Sequence, residues 1–206
     1  MESLALVFSS GWASGVNAYL VVLVLGIADR VGGYDQIPNV LGNPAVLAIA
    51  GALYAMEFIA DKIPAIDSTW DAISTAIRPT TGAIIGVLIA GDADSLNGAV
   101  AAVVGGGTAL ASHAVKMGGR LAINNSPEPV TNILASTAED VVVLAVVWFA
   151  IEHPVIAASI AATLLVLGLA FLWFAIRLIR RGWARRKARR AGLAAPSAGA
   201  SPPGRG

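Results

Sequence analysis

The chain has 206 residues, of which 56% are hydrophobic and 13% are charged, and its mean hydropathy is +0.73. Such a composition excludes an ordinary soluble globular domain and predicts an integral membrane protein. The chain contains no cysteine, which excludes disulfides, cysteine-based metal sites and thiol catalysis. The net charge of +1 hides an asymmetry, because most of the arginines lie after residue 176 while the acids are spread through the rest.

Six apolar segments are candidates for membrane spans, which need about 20 helical residues with a range of about 17 to 25. They predict an all-α, polytopic bundle of about six transmembrane helices. The first segment follows Met1 without the positive residues of a cleaved leader, so we interpret it as a retained span. The third is short and rich in glycine, which predicts a tilted or broken helix and leaves a five-span arrangement with one re-entrant segment open. The segments run approximately over residues 4–28, 45–61, 79–91, 97–117, 130–151 and 155–176.

The distribution of Lys and Arg among the loops predicts the orientation of the bundle, since short cytoplasmic loops carry an excess of these residues. Lys62 and Arg78 flank one loop, and Lys116 and Arg120 flank another. The alternate loops hold a single base, Arg30. With six spans, both termini are therefore predicted to be cytoplasmic.

Composition divides the chain into three parts. Residues 1–176 are predicted to form the transmembrane helical domain, residues 177–190 a basic cytoplasmic extension of the last helix, and residues 191–206 a disordered low-complexity tail. The basic run from Arg177 to Arg190 is expected to contact anionic lipid headgroups, where each base is worth about 1 kcal/mol. Because arginines that orient the protein explain this run, nucleic-acid binding is not expected.

Two adjacent acids, Glu139 and Asp140, lie inside the fifth apolar segment. An ionised carboxylate at the centre of a membrane helix costs at least about 2.5 to 3.5 kcal/mol on insertion scales. Such residues are usually paired or face a protein interior or a watery cavity, and they often mark function. These two acids therefore indicate where a functional site is to be sought.

Polar residues form stripes at helical spacing on four of the predicted helices. Because the stripes lie at similar depth in the cytoplasmic half, we expect them to converge on a polar site or vestibule open to the cytoplasm. The alternative is a set of interhelical hydrogen bonds and ion pairs that only hold the bundle together. On the fifth helix, the spacing favours Glu139 over Asp140 for the position that faces the axis. The stripes consist of Ser10, Ser14 and Asn17; Glu57 and Asp61; Ser112, Lys116 and Arg120, with His113 alongside; and Asn132, Ser136 and Glu139, with Asp140 next to it.

Two further segments have informative sequences. Residues 61–71 are rich in acids and are predicted to form a cytoplasmic loop, with Pro64 at its turn and Trp70 as its anchor. Its acids, with Glu57, carry the oxygen ligands that divalent cations prefer, but their spacing matches no cation-binding loop, so we predict no metal and no cofactor. Pro129 is suited to the first turn of the fifth helix.

A short internal match between residues 14–23 and residues 136–145 favours an arrangement of three helical hairpins. Many transporters contain structural repeats and bind their substrates where the repeats meet.

The chain also resembles DUF4126, a bacterial membrane protein family defined only as a domain of unknown function. The resemblance covers about residues 5–175 and implies a multi-span fold in the bacterial inner membrane, without an activity, a substrate or a catalytic residue. The residues that carry it are the motifs at 14–19, 57–64, 67–71 and 125–129, together with Ser136, Glu139 and Asp140.

Three functions fit these features. The leading one is a small-solute or ion transporter or channel-like protein with Glu139 and Asp140 as proton or cation acceptors. Lys116 and Arg120 would be their counter-charges. The second is a membrane scaffold or assembly factor, with the bilayer as its environment and a homo-oligomer left open. The third, less expected, is an enzyme acting on a lipid or isoprenoid phosphate, with His113 beside the two bases, although the familiar catalytic motifs are missing.

Overall fold

The structure, a computed structural model, describes residues 1–91, 96–124 and 129–193. These residues form six α-helices and no strand, which confirms the predicted all-α bundle. The predictions for residues 92–95, for most of the segment before Pro129 and for the tail from residue 194 lie outside the described residues. The helices are α1 Glu2–Gly32, α2 Pro44–Ala60, α3 Pro64–Gly91, α4 Gly98–Asn124, α5 Pro129–Glu152 and α6 Pro154–Leu193.

Five of these helices are long and apolar enough to cross a membrane, and α2 is the short one, with 17 residues. The prediction of a short third span is wrong, because α3 has 28 residues and contains a 23-residue apolar stretch from Thr69. The predicted loop over residues 61–71 is wrong for the same reason, since α3 begins at Pro64 and includes Trp70 and Asp71. Asp71 and Arg78 lower the hydropathy of this part of α3, although they are paired inside the bundle.

Helix α1 lies at the centre of the bundle and packs against α2, α3, α4 and α5. All of residues 9–21 are buried. Small residues bring the helices close together, as in other membrane bundles. Gly15 faces the Ala109 carbonyl and the Ser112 hydroxyl of α4, while Gly86 of α3 faces the Ala101 carbonyl of α4.

A break in α1 divides it into two halves at Asn17, which stands midway between Glu2 and Gly32. Asn17 has extended backbone angles, φ −150° and ψ 97°. Its side-chain Oδ1 accepts a hydrogen bond of 3.0 Å from the backbone N–H of Leu20. This is the geometry of a helix N-cap, so the second half of α1 starts afresh at Asn17. The regular helical spacing predicted from Ser10 to Asn17 therefore ends at this residue.

The chain has two compact units, Met1–Leu169 and Ala170–Gly206. The first unit contains the bundle, and the part of α6 within it contributes Ala157 and Ala161 to the hydrophobic core. In the second unit the described residues continue α6, where the Arg177 guanidinium lies 5.1 Å from the centre of the Trp173 ring in a cation–π contact.

Single-cysteine labelling tests the number of spans, and the native chain needs no prior removal of cysteine. Glu2→Cys, Asn39→Cys and Ala184→Cys place thiols at exposed positions. If all six helices span, a membrane-impermeant thiol reagent reaches positions 2 and 184 from one side and position 39 from the other. Labelling of positions 2 and 184 from opposite sides would mean that α2 does not cross the membrane.

Substitution of Gly15 tests the close contact between α1 and α4. In Gly15→Ala the new methyl group meets the Ala109 carbonyl and the Ser112 hydroxyl, and such overpacking typically costs about 1–3 kcal/mol. We expect a lower apparent unfolding temperature in detergent. Gly107→Ala is the matched control, because nothing lies within 4 Å of the added atom. Equal unfolding temperatures for the two variants would contradict the packing.

Candidate functional site

A buried set of charged side chains, called the charge network below, lies where α1 to α5 meet. Three of its members are bases, five are acids and one is a histidine. The structure brings together the polar faces of α1, α2, α4 and α5, and α3 adds Asp71 and Arg78. The charge network consists of Glu57, Asp61, Asp71, Arg78, His113, Lys116, Arg120, Glu139 and Asp140.

Arg78 joins α3 to α2 and α4, and only 1% of its surface is exposed. Its Nη2 lies 2.6 Å from Glu57 Oε1, and its Nη1 lies 3.2 Å from Asp71 Oδ1. Nη1 also lies 2.8 Å from His113 Nδ1. Because a guanidinium only donates hydrogen bonds, Nδ1 of His113 must accept, and the ring proton is on Nε2. Nε2 then donates to Thr75 Oγ1 at 3.1 Å.

Lys116 and Arg120 join α4 to α2 and α5. Lys116 Nζ lies 3.0 Å from Asp61 Oδ2 and 3.4 Å from Glu139 Oε2. Arg120 binds both oxygens of the Glu139 carboxylate, with Nη2 at 2.7 Å from Oε2 and Nε at 3.2 Å from Oε1. Its Nη1 donates to the Asp61 carbonyl at 3.1 Å. A bidentate pair of this kind fixes orientation as well as charge.

Charged side chains of opposite sign lie on the two sides of the break in α1. Where an α-helix is interrupted, the last carbonyls of its first half lose their partners and carry the negative end of the helix dipole. Lys116 Nζ donates to the Val16 carbonyl at 3.0 Å, and Arg78 Nη1 donates to the Gly15 carbonyl at 3.4 Å. On the other side, Asn17 Nδ2 donates to Asp140 Oδ1 at 3.0 Å, next to the positive start of the second half.

Asp140 differs from the other acids of the charge network. Both of its contacts come from neutral groups, Asn17 Nδ2 and the Tyr54 hydroxyl, which lies 3.4 Å from Oδ2. In the described part of the chain, no base lies within 4 Å of its carboxylate. It is 7% exposed, whereas the side chain of Glu139 is 25% exposed. The preference for Glu139 at the axis is therefore wrong, because the two positions diverge on the helix, with Asp140 turned to α1 and Glu139 to α4.

The remaining predicted residues lie around the charge network. Ser14 Oγ donates to the Arg78 carbonyl at 3.1 Å, and Ser112 Oγ donates to the Trp12 carbonyl at 2.7 Å. Ser10 and Ser136 are buried, and neither hydroxyl has a hydrogen-bond partner among the described residues. The side chain of Asn132 lies outside the described part.

Sequence reasoning missed the role of Arg78, which it treated as a base flanking a loop. Arg78, Lys116 and Arg120 all lie buried in the charge network. The predicted orientation therefore depends mainly on Lys62 and on the basic run from Arg177. The signal that could have found Arg78 is its spacing from Asp71, seven residues earlier on the same face of α3.

Lys62 lies just beyond the end of α2, at the edge of the charge network. Its Nζ donates to the Phe58 carbonyl at 3.0 Å and lies over the Phe58 ring. Burial lowers the pKa of the Lys62 ammonium, and the nearby carboxylates of Asp140 and Asp61 act in the opposite direction.

Among the described residues, no group of three acids or histidines has an arrangement that could hold a metal ion.

Apolar helices around a charged centre define the molecule as a multi-pass helical membrane protein. The family model described as Domain of unknown function (DUF4126) matches residues 4–180, so the chain belongs to this family, as its resemblance predicted. The matched region contains the whole charge network and the break in α1. No curated protein and no solved structure matches the chain.

Replacement of Arg78 tests whether the charge network holds the bundle together. Arg78→Gln leaves Glu57 and Asp71 buried without their main base, and removal of one partner of a buried pair costs about 3–5 kcal/mol. We expect a clear fall in the apparent unfolding temperature in detergent. The double variant Glu57→Gln/Arg78→Gln should recover part of this loss. Arg177→Gln, at an exposed position, is the control, and an Arg78→Gln variant as stable as this control would contradict the assignment.

Proposed function

We propose that the protein is a small-solute or ion transporter of the bacterial inner membrane, with its binding site at the α1 break and the charge network. The break carries the proposal, because it lies midway along a central helix whose charged neighbours come from four other helices. Interrupted helices near the middle of the membrane, with backbone groups freed to bind polar ligands, are a recurring feature of transporter sites. Irregular backbone at this depth is tolerated where it is buried in protein or lines a cavity.

The charge balance of the site favours a cation or a proton over an anion. In the described part of the chain, five acids of the charge network face three bases, and His113 is neutral in the tautomer that its partners require. Each of the three bases already contacts carboxylates. An anionic solute would have to displace these carboxylates, whereas a cationic solute would relieve the excess of negative charge.

Glu139 is the member of the charge network through which a solute would reach the site. Its side chain is the most exposed among the paired acids, and it contacts both Lys116 and Arg120. Loss of these contacts would free a carboxylate and two bases at the same place. In the predicted orientation this edge of the network faces the cytoplasm.

A membrane scaffold is the second candidate, and one observation favours it. Arg78, Lys116 and Arg120 each contact at least two acids, so the charge network alone can fix how the helices pack. A single buried polar group can set helix register in this way. The enzyme hypothesis is weaker, because Lys116 and Arg120, the bases suggested for a phosphate, are bound to Asp61 and Glu139.

Flux measurements in proteoliposomes test the transporter proposal. With a panel of small cations, amines and amino acids, and with pH and potential gradients imposed, the wild type should transport at least one solute. Glu139→Gln should lower that flux by at least tenfold, because the bases at the site keep only part of their counter-charge. Glu152→Gln is the matched control, since this acid lies exposed at the other end of α5, bonded to the Tyr34 hydroxyl.

Equal flux through the wild type, Glu139→Gln and protein-free liposomes across the panel would contradict transport. In that case, capture of a stoichiometric partner by crosslinking in cells would support the scaffold.

A further inference from the structure

We infer that Asp140 takes up and releases a proton at the α1 break, and that this proton drives the transport cycle. The inference rests on the proposed function and names the coupling ion of the same site. The acids of the charge network differ in the groups that bind their carboxylates. The carboxylates of Glu57, Asp61 and Glu139 are held by bases, whereas that of Asp140 is held by an amide and a hydroxyl.

The donors around Asp140 suit a proton better than a metal cation. The orientation of the Asn17 amide is fixed by its own hydrogen bonds, since Oδ1 accepts from the Leu20 N–H and Nδ2 therefore faces Asp140. A metal cation needs several oxygen ligands, and an amide N–H₂ group on the carboxylate opposes its binding. A proton needs only one free lone pair of a carboxylate oxygen, and the two donor contacts, at 3.0 and 3.4 Å, leave other lone pairs of the carboxylate available.

The charges that act on Asp140 come from several helices. Lys116 of α4, Lys62 beyond α2 and Asp61 at the C-cap of α2 interact with it through space, without an ion pair within 4 Å among the described residues. Two attractive charges and one repulsive charge therefore act on the ionised form. Because no base binds the carboxylate directly, protonation need not break a salt bridge. The other titratable or charged groups that face this region are Tyr54 and Glu57 of α2, Asp71 and Arg78 of α3, His113 and Arg120 of α4, and Glu139 of α5.

The position of Asp140 links its charge to the shape of α1. Ionised Asp140 complements the positive start of the second half of α1 and accepts from Asn17, the residue at the break. Protonation removes that electrostatic attraction and weakens the hydrogen bond from Asn17, which becomes a bond to a neutral acid. The two protonation states therefore favour different arrangements of α1 against α5. This is the property that a proton-coupled transporter requires of its coupling residue.

Infrared difference spectroscopy of the full-length protein in lipid tests the inference without any solute. Spectra recorded across a titration from pH 4 to pH 9 contain protonated-carboxyl bands from every acid that titrates, including the exposed acids near pH 4. One component of the wild-type signal should belong to Asp140. Asp140→Asn should remove that one component, and Glu139→Gln should keep it. In the same samples, amide exchange protection of residues 18–21 should change with pH in the wild type and stay constant in Asp140→Asn.

Identical protonated-carboxyl bands in the wild type and Asp140→Asn at every pH would overturn the inference. If Asp140→Asn does not fold, Asp140→Glu serves instead: a shifted band frequency supports the assignment, and an unchanged one overturns it. The readout is independent of transport, so failure of every panel solute would remove the transport cycle and leave the titration of Asp140 at the α1 break standing. Conversely, solute flux with no proton movement and no effect of Asp140→Asn would overturn this inference and leave the transporter proposal standing.

Discussion

The structure depends on how the interrupted backbone of α1 is satisfied inside the bundle. A break in a buried helix exposes carbonyl groups that cannot reach water, and each unsatisfied group costs several kcal/mol in a membrane. Here Lys116 and Arg78 supply the donors, and Asn17 closes the start of the second half with its own side chain. The bases that do this are themselves too costly to bury alone, which accounts for the acids around them.

These linked requirements explain why the members of the charge network come from four helices that surround α1. Arg78 needs Glu57 of α2 and Asp71, two turns earlier on the same face of α3, while Lys116 needs Asp61 and Glu139. Each acid then fixes the position of its own helix relative to α1. Small residues such as Gly15 and Gly86 complete the arrangement, because they let α3 and α4 approach closely enough for the side chains to meet. Asp140 is the exception, bound at the break but not neutralised by contact with a base.

Hydropathy and polar spacing were enough to predict the helical class, the start of α5 at Pro129 and the convergence of polar faces from α1, α2, α4 and α5. The break at Asn17 could not be predicted, because it depends on the donors that Lys116 and Arg78 bring from distant parts of the chain. The sequence predicts a loop position for Asp71 and a position at a loop edge for Arg78 for a related reason. A hydropathy scale treats each charged residue alone. It does not account for a partner on another helix that makes burial of that residue possible.

In the proposed function, the α1 break forms a site that opens to the cytoplasm, and not merely a fixed joint. Ser14, one turn before the break, is fully buried and bonded to the Arg78 carbonyl, so it is reached only if the site opens. The direct measurement is the rate at which a membrane-impermeant thiol reagent modifies Ser14→Cys in vesicles of known orientation. We expect modification from the cytoplasmic face alone, at a lower rate when a transported solute is present. A thiol that reacts from neither face until the protein is unfolded would contradict it.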